Sequence, residues 1–126
     1  MKRFVICFGA LMLAAPASAA DWEEIGGNDS GTVFFVDRSS IRAVGNKMQV
    51  WVMFDYSKNR TKKERSTKEL WKFDCNNQKS FTASWTNYSP DGTAIKSDAP
   101  MEYEFKYEPV VPGTFGETAM NVACAS

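Results

Sequence analysis

Alternation of apolar and polar side chains dominates the chain from residue 22 onward. The clearest run is residues 47–56. Met48, Val50, Val52, Phe54 and Tyr56 fall on one face, and Gln49, Trp51, Met53 and Asp55 on the other, the period of two that marks a strand. Both faces carry apolar groups, so this strand is expected to be central, with material covering each side. Residues 66–75 repeat the pattern: Thr67, Glu69, Trp71, Phe73 and Cys75 share one face, and Lys68, Leu70, Lys72 and Asp74 the other. Residues 79–89 form the next strand, with Phe81, Ala83 and Trp85 expected together. Earlier in the chain, residues 22–25 read as a short strand and residues 32–37, rich in β-branched and aromatic side chains, as a second. Residues 38–42 break that strand, as one turn of 3₁₀ helix would.

Punctuation agrees with this division. Gly26-Gly27-Asn28-Asp29-Ser30-Gly31 is a turn by composition, Gly45-Asn46 another, and Ser89-Pro90-Asp91-Gly92 predicts a type I turn with residues 93–97 running back as a hairpin partner. Residues 101–107 predict an edge strand or extended segment, because Pro109 and Pro112 exclude a central one. The period changes at the end. Thr114 and Glu117 stand at capping-box spacing, and alanine and methionine follow through residues 118–124. Met120 and Cys124 lie four apart, on one face of a short helix. The expected fold is α+β: an antiparallel sheet of about six strands with a C-terminal helix packed on it.

The first twenty residues follow different rules. Lys2 and Arg3 precede an apolar run over residues 4–13, and Ala14-Ala15-Pro16-Ala17-Ser18-Ala19-Ala20 supplies small residues for cleavage. This is the layout of a secretory signal peptide, too short to span a bilayer. Residues 1–20 are therefore expected to be removed and residues 21–126 to form one domain, in the periplasm, at the cell surface or secreted. Cuts after Ala19 and after Ala20 both fit. No small-residue box precedes Cys7, so neither a lipid nor a membrane anchor is expected.

Export changes the reading of the cysteines. Cys7 leaves with the leader, and Cys75 and Cys124 remain as an even pair in an oxidising compartment. One disulfide is the default. Two free redox thiols are the rival, which the distance from Cys-x-x-Cys spacing disfavours.

Composition then narrows the chemistry. Without Lys2 and Arg3 the chain keeps 13 of its 15 basic residues against 15 acidic ones, a balance unlike that of a nucleic-acid binder. There is no histidine, which removes the commonest general base and the commonest zinc ligand. There is no Gly-rich phosphate loop and no Gly-x-Ser-x-Gly elbow. No metal, no cofactor and no enzymatic activity are expected; a hydrolase working through a carboxylate pair is the remote alternative.

Two segments stand out in charge. Lys58, Arg60, Lys62, Lys63, Arg65 and Lys68 oppose only Glu64. They suit acidic glycans, lipopolysaccharide phosphates or an acidic protein surface; the plain alternative is a solvated loop whose lysines discourage aggregation. Asp98, Glu102, Glu104, Glu108 and Glu117 against Lys106 form the complement. That segment is either a solubilising edge or a partner for the basic loop of a second copy, which would make a homodimer. Tyr88, Tyr103, Phe105 and Tyr107 lie near turns, where aromatic rings suit a protein or sugar ligand. Trp51, Trp71 and Trp85 are expected in the core, and Asp37 and Asp55 at turns.

The order of these pieces resembles the surface-adhesin protein E-like domain of exported Gram-negative proteins. A Trp near the mature start precedes an aromatic strand closing on Asp37 and Arg38-Ser39-Ser40-Ile41. Val50-Trp51-Val52 leads to Asp55-Tyr56, and a basic loop to Ser66 and Asp74-Cys75. The turn from Tyr88-Ser89 to Gly92, Pro112-Gly113-Thr114 and a terminal Cys124 complete the series. The resemblance implies an antiparallel sheet with a C-terminal helix tied by a disulfide. It also implies an adhesive function directed at protein or glycan ligands. A soluble periplasmic accessory protein binding an envelope component is the alternative. The candidate contact residues are Lys58, Arg60, Lys62, Lys63, Arg65, Tyr103 and Tyr107.

Overall fold

The computed structural model describes residues 19–101 and 106–126. The strands are β1 (Trp22–Gly27), β2 (Val33–Val44), β3 (Lys47–Asp55), β4 (Ser66–Asp74), β5 (Lys79–Tyr88), β6 (Ala94–Asp98) and the short β7 (Glu108–Pro109), followed by one helix, α1 (Phe115–Cys124). Strands β1 to β6 lie in sequence order as an antiparallel meander, and β7 pairs with the start of β5. Each connection joins spatial neighbours, so local turns suffice to set the order. The Gly92 N–H donates to the Ser89 carbonyl at 2.9 Å, closing the predicted turn.

Side chains from β2, β3 and β4 form the floor of the core. Val36, Val50, Val52 and Phe73 are fully buried beneath Ala119, Met120 and Ala123 of α1. The alanines matter because a small side chain lets the helix backbone approach the sheet. Phe115 fills the other end of the helix, its ring 4.3 Å from that of Phe34 and 5.3 Å from those of Phe54 and Trp71. Cys75 and Cys124 are disulfide-bonded across a Cα separation of 5.9 Å, tying the last helical residue to the turn after β4. The capping pair forms with one change of partner. Thr114 Oγ1 accepts from the Glu117 N–H at 3.3 Å, while Glu117 Oε1 accepts from Gly113 N–H, at 2.9 Å, one residue before the cap.

Several local expectations are corrected. Residues 38–42 do not form a 3₁₀ turn; β2 continues through them with a shift in pairing between Asp37 and Arg42. The cause is a side chain that replaces the ladder: Ser40 Oγ accepts the Trp51 N–H at 2.9 Å. β1 extends through Gly26 and Gly27, into the segment that composition assigns to the turn. Phe81 and Trp85 do not share a face. A register shift beside Ala83 pairs Phe81 with Lys72 but Trp85 with Glu69, and one extra residue reverses the alternation. Trp51 lies between Val50 and Val52 on the face away from α1 and is half-buried, not in the core. The helix contacts β1 to β4 on one face alone, and among the described residues no element covers the other. Long side chains shield it instead: Lys72 Nζ donates to Gln49 Oε1 at 3.0 Å. Of residues 101–107, four lie outside the described residues, and the edge pairing seen is that of Glu108 and Pro109.

A partly buried acid, Glu69, lies on the helix-facing side. Glu69 pairs with Val52 and Trp85, and accepts the Trp71 Nε1–H at 2.7 Å. Burial pushes its carboxyl above the usual carboxylate value, against the opposing pull of the Trp71 bond. Between the unfolded and folded titrations the native state therefore holds a proton that the unfolded chain has lost, so stability falls as pH rises through the folded value. Glu69→Gln keeps the acceptor for Trp71 and removes the charge. It is expected to raise the melting temperature at pH 7 and leave it unchanged near pH 3.5. Paired thermal melts at the two pH values check this; an equal change at both would mean that charge is not the cause.

Candidate functional site

The connection from β3 to β4 carries Lys58, Arg60, Lys62, Lys63 and Arg65, all exposed. Its path is fixed by hydrogen bonds. The Tyr56 N–H donates to the Arg65 carbonyl at 2.7 Å across the loop base, the Asn59 N–H to the Tyr56 carbonyl at 2.8 Å, and the Lys62 N–H to the Asn59 carbonyl at 3.2 Å. Asn59 is 8% exposed, and its Oδ1 accepts from the Thr61 N–H and Oγ1 at 3.1 and 2.7 Å. Its Nδ2 faces the hydroxyl of buried Thr32 at 3.4 Å.

The β1–β2 turn supports the loop from below. Gly31 has φ +94°, and a Cβ there would lie 2.8 Å from the Lys58 carbonyl oxygen. Only glycine satisfies both the left-handed backbone and that approach. On the other side, the Arg65 N–H donates to the Tyr88 carbonyl at 2.9 Å and its Nη1 to the Pro90 carbonyl at 3.3 Å. Arg65 is thus a structural bracket as well as a charge.

These restraints shape a cavity of about 360 Å³ whose wall includes Tyr56, Arg60, Lys62, Lys63, Arg65 and Pro90, with Glu64 as its one acid. Lys62 Nζ lies 4.7 Å from the Tyr56 ring centroid, a cation–π contact. Among the described residues none of the loop cations belongs to an ion pair. Four like charges around one cavity repel each other, and an anion seated there offsets that repulsion through charge-assisted hydrogen bonds. The adjoining turn carries the opposite sign: hydrogen bonds from the Ser89 hydroxyl and from Thr93 hold the Asp91 carboxyl down to about 2.

The structure separates the remaining candidates. Lys58 contributes its carbonyl to the Gly31 contact and lies outside the cavity wall. Lys68 Nζ sits on the face opposite α1, 4.9 Å from the Tyr88 ring and 5.8 Å from that of Trp22. Tyr107 is half-buried, its ring 5.9 Å from Phe81 and 5.3 Å from Lys47 Nζ. Lys47 begins β3 and the basic loop follows its end, so the two lie roughly 27 Å apart along the strand. Tyr103 lies outside the described residues. Of the acidic segment, Asp98, Lys106 and Glu108 line a second cavity of about 450 Å³ with Phe81 and Trp85, whereas Glu117 serves the helix cap. Among the described residues no three metal-ligating side chains come together, and no helix is long and apolar enough to cross a membrane. Sequence reading missed Gly31, Thr32 and Asn59. The glycine alone carried a signal, through its place in a Gly/Asn/Asp turn.

Comparison with known proteins agrees with this architecture. A family model described as surface-adhesin protein E matches residues 22–125. A structure of Haemophilus influenzae protein E superposes with a TM-score of 0.57 at 17% identity, covering 87% of this chain and 91% of that one. A second crystal form of the same protein gives 0.52 at 17% identity, over 73% and 80%. No curated protein matches by sequence.

Proposed function

The chain belongs to the surface-adhesin protein E family, and from that premise we propose that it is an exported, non-enzymatic binding module whose basic loop holds an anionic group of a protein or glycan ligand. The reading has three parts. Residues 1–20 are a signal peptide and residues 21–126 the exported domain. The ligand is held at Arg60, Lys62, Lys63 and Arg65, with Lys58 at the margin. Tyr107 contacts only a ligand long enough to extend along β3, and Tyr103, outside the described residues, is the remaining candidate contact.

One observation carries it: cations without ion-pair partners among the described residues surround a cavity on a loop held by buried Asn59 and by the Gly31 contact. A loop kept only for solubility has no need of a fixed path. Lys58→Gln/Arg60→Gln/Lys62→Gln/Lys63→Gln removes four charges and leaves the Arg65 bracket. At about 0.5 kcal/mol for each exposed contact, the variant is expected to bind immobilised heparin or matrix protein roughly 30-fold more weakly than wild type, with an unchanged melting temperature. Equal affinity for both ligands sinks the proposal. A further weakening from Tyr107→Ala would indicate an extended ligand.

The alternative is a periplasmic protein that uses the same loop on an envelope component; the export leader of residues 1–20 suits it equally. Protease shaving of intact cells separates the two. Loss of this protein while a periplasmic control survives supports adhesion, and survival of both, with digestion after lysis, supports the periplasmic reading.

A further inference from the structure

Asp37 is a buried carboxylate with three donors and no cation among the described residues. Its Oδ1 accepts from the Asp21 N–H at 2.8 Å, the Ser39 N–H at 3.0 Å and the Ser39 Oγ at 2.6 Å. The residue is 7% exposed, and lies between Trp22 and Trp51 across the strand ladder. Among the described residues the one ion pair is Arg38 with Glu23. A buried carboxylate held only by neutral donors is costly, because the lost hydration of a full charge is replaced by partial ones. The neighbouring backbone is anchored on both sides of Asp21. Its N–H reaches Asp37, and its carbonyl accepts from the Arg38 N–H at 2.9 Å. Ala19 and Ala20, just before it, are exposed.

The Asp21 nitrogen is the atom that a cut after Ala20 would free. We propose that the export leader is removed between Ala20 and Asp21, and that the resulting α-ammonium of Asp21 supplies the cation that Asp37 lacks. The proposal rests on the export reading. A cut after Ala19 leaves the Asp21 nitrogen a neutral amide, so the two cleavage sites permitted by the small residues are not equivalent. In the hydrolysis by a leader peptidase, the C–N bond between Ala20 and Asp21 breaks. The oxygen of water joins the Ala20 carbonyl carbon, which departs with the leader as a carboxylate. Both hydrogens of water end on the Asp21 nitrogen, giving –NH₃⁺. An α-amino group titrates near 8, so it is charged at neutral pH. Among the described residues the leader side of the cut is held by one weak bond, the Ser39 hydroxyl donating to the Ala19 carbonyl at 3.4 Å. The folded domain engages the scissile nitrogen as an amide N–H, and cleavage converts that donor into a cation in place. Processing thus completes a contact of the fold.

Expression with the native leader in a Gram-negative host, followed by intact-mass measurement, gives the first test. A start at Asp21 is expected. Exported protein starting at Ala20 or elsewhere overturns this proposal and the boundary at residue 20 but leaves export and loop binding standing, whereas chain retained with residues 1–20 attached overturns it together with the export reading. The second test compares purified forms beginning at Asp21 and at Ala20, with and without Asp37→Asn. The Asp21 form is expected to melt about 5 °C higher, and Asp37→Asn is expected to abolish the difference. Equal melting, or a difference that survives Asp37→Asn, overturns the ion pair. Nα-acetylation of the Asp21 form provides a readout that needs no substitution: it should lower melting to that of the Ala20 form, and no change would overturn the proposal.

Discussion

Cys124→Ser is expected to cost this domain about 4 kcal/mol. The disulfide closes a loop with a sequence separation of 49, and the chain-entropy model gives that figure for a loop of this length. Typical domains hold about 5–15 kcal/mol in total, so the variant should melt roughly 15–25 °C below wild type. Position makes the effect more than entropic. Cys124 ends α1, and a ten-residue helix is too short to persist in water without tertiary anchors. Thermal melts of Cys124→Ser, of Cys75→Ser/Cys124→Ser and of reduced wild type should coincide, because all three remove the same cross-link. A loss below about 1 kcal/mol would mean that packing alone holds the helix. The basic loop leaves the sheet at the far end of β4 from Cys75, so moderate reduction should release α1 before it disturbs the loop.

Phe115→Ala is expected to cost about 3 kcal/mol, the low end of the range for Phe→Ala because the ring is not fully buried. Phe115 sits in the first turn of α1 and touches rings from three strands: Phe34 on β2, Phe54 on β3 and Trp71 on β4. Removing it leaves a cavity that none of these rings fills without leaving its rotamer. Urea denaturation followed by the combined fluorescence of the four tryptophans gives the stability change. Phe115→Leu should lose less than about 1.5 kcal/mol, because it preserves most of the apolar volume. If Phe115→Ala loses under about 1 kcal/mol, the aromatic cluster is peripheral and Phe73 with the alanines carries the docking.

The two variants probe opposite ends of one helix, and they mark a limit of local pattern. The Thr114 cap is legible in the chain and places the helix start at Phe115, as observed. The aromatic socket that receives Phe115 is contributed by three strands, which no local window contains. The strand breaks show the same limit. Alternation locates β3 and β4 almost to the residue, because each side chain there meets a uniform environment. It fails at residues 38–42 and at Ala83, where one hydroxyl or one extra residue reassigns the ladder. The size of Trp51 suggests the core, while its parity in the strand directs it to the uncovered face, and parity prevails.

For the candidate site, composition is enough to find the charges and not their arrangement. Lys58 to Arg65 is visible as a cationic cluster in any reading of the chain. Whether such a cluster is a solvated loop or a shaped surface depends on Asn59 meeting Thr32, 27 residues away, and on Gly31 lying against the Lys58 carbonyl. Strand period, turn chemistry and formal charge are local properties, so the meander, the helix at its end and the sign of charge on the loop are legible in the chain itself. Where the ladder slips, that Tyr107 stands apart from the loop cations and that Asp37 closes on the backbone of Asp21 are not. Each of these depends on a contact between residues distant in the chain, and such contacts form only when burial and the geometry of the whole sheet bring them together.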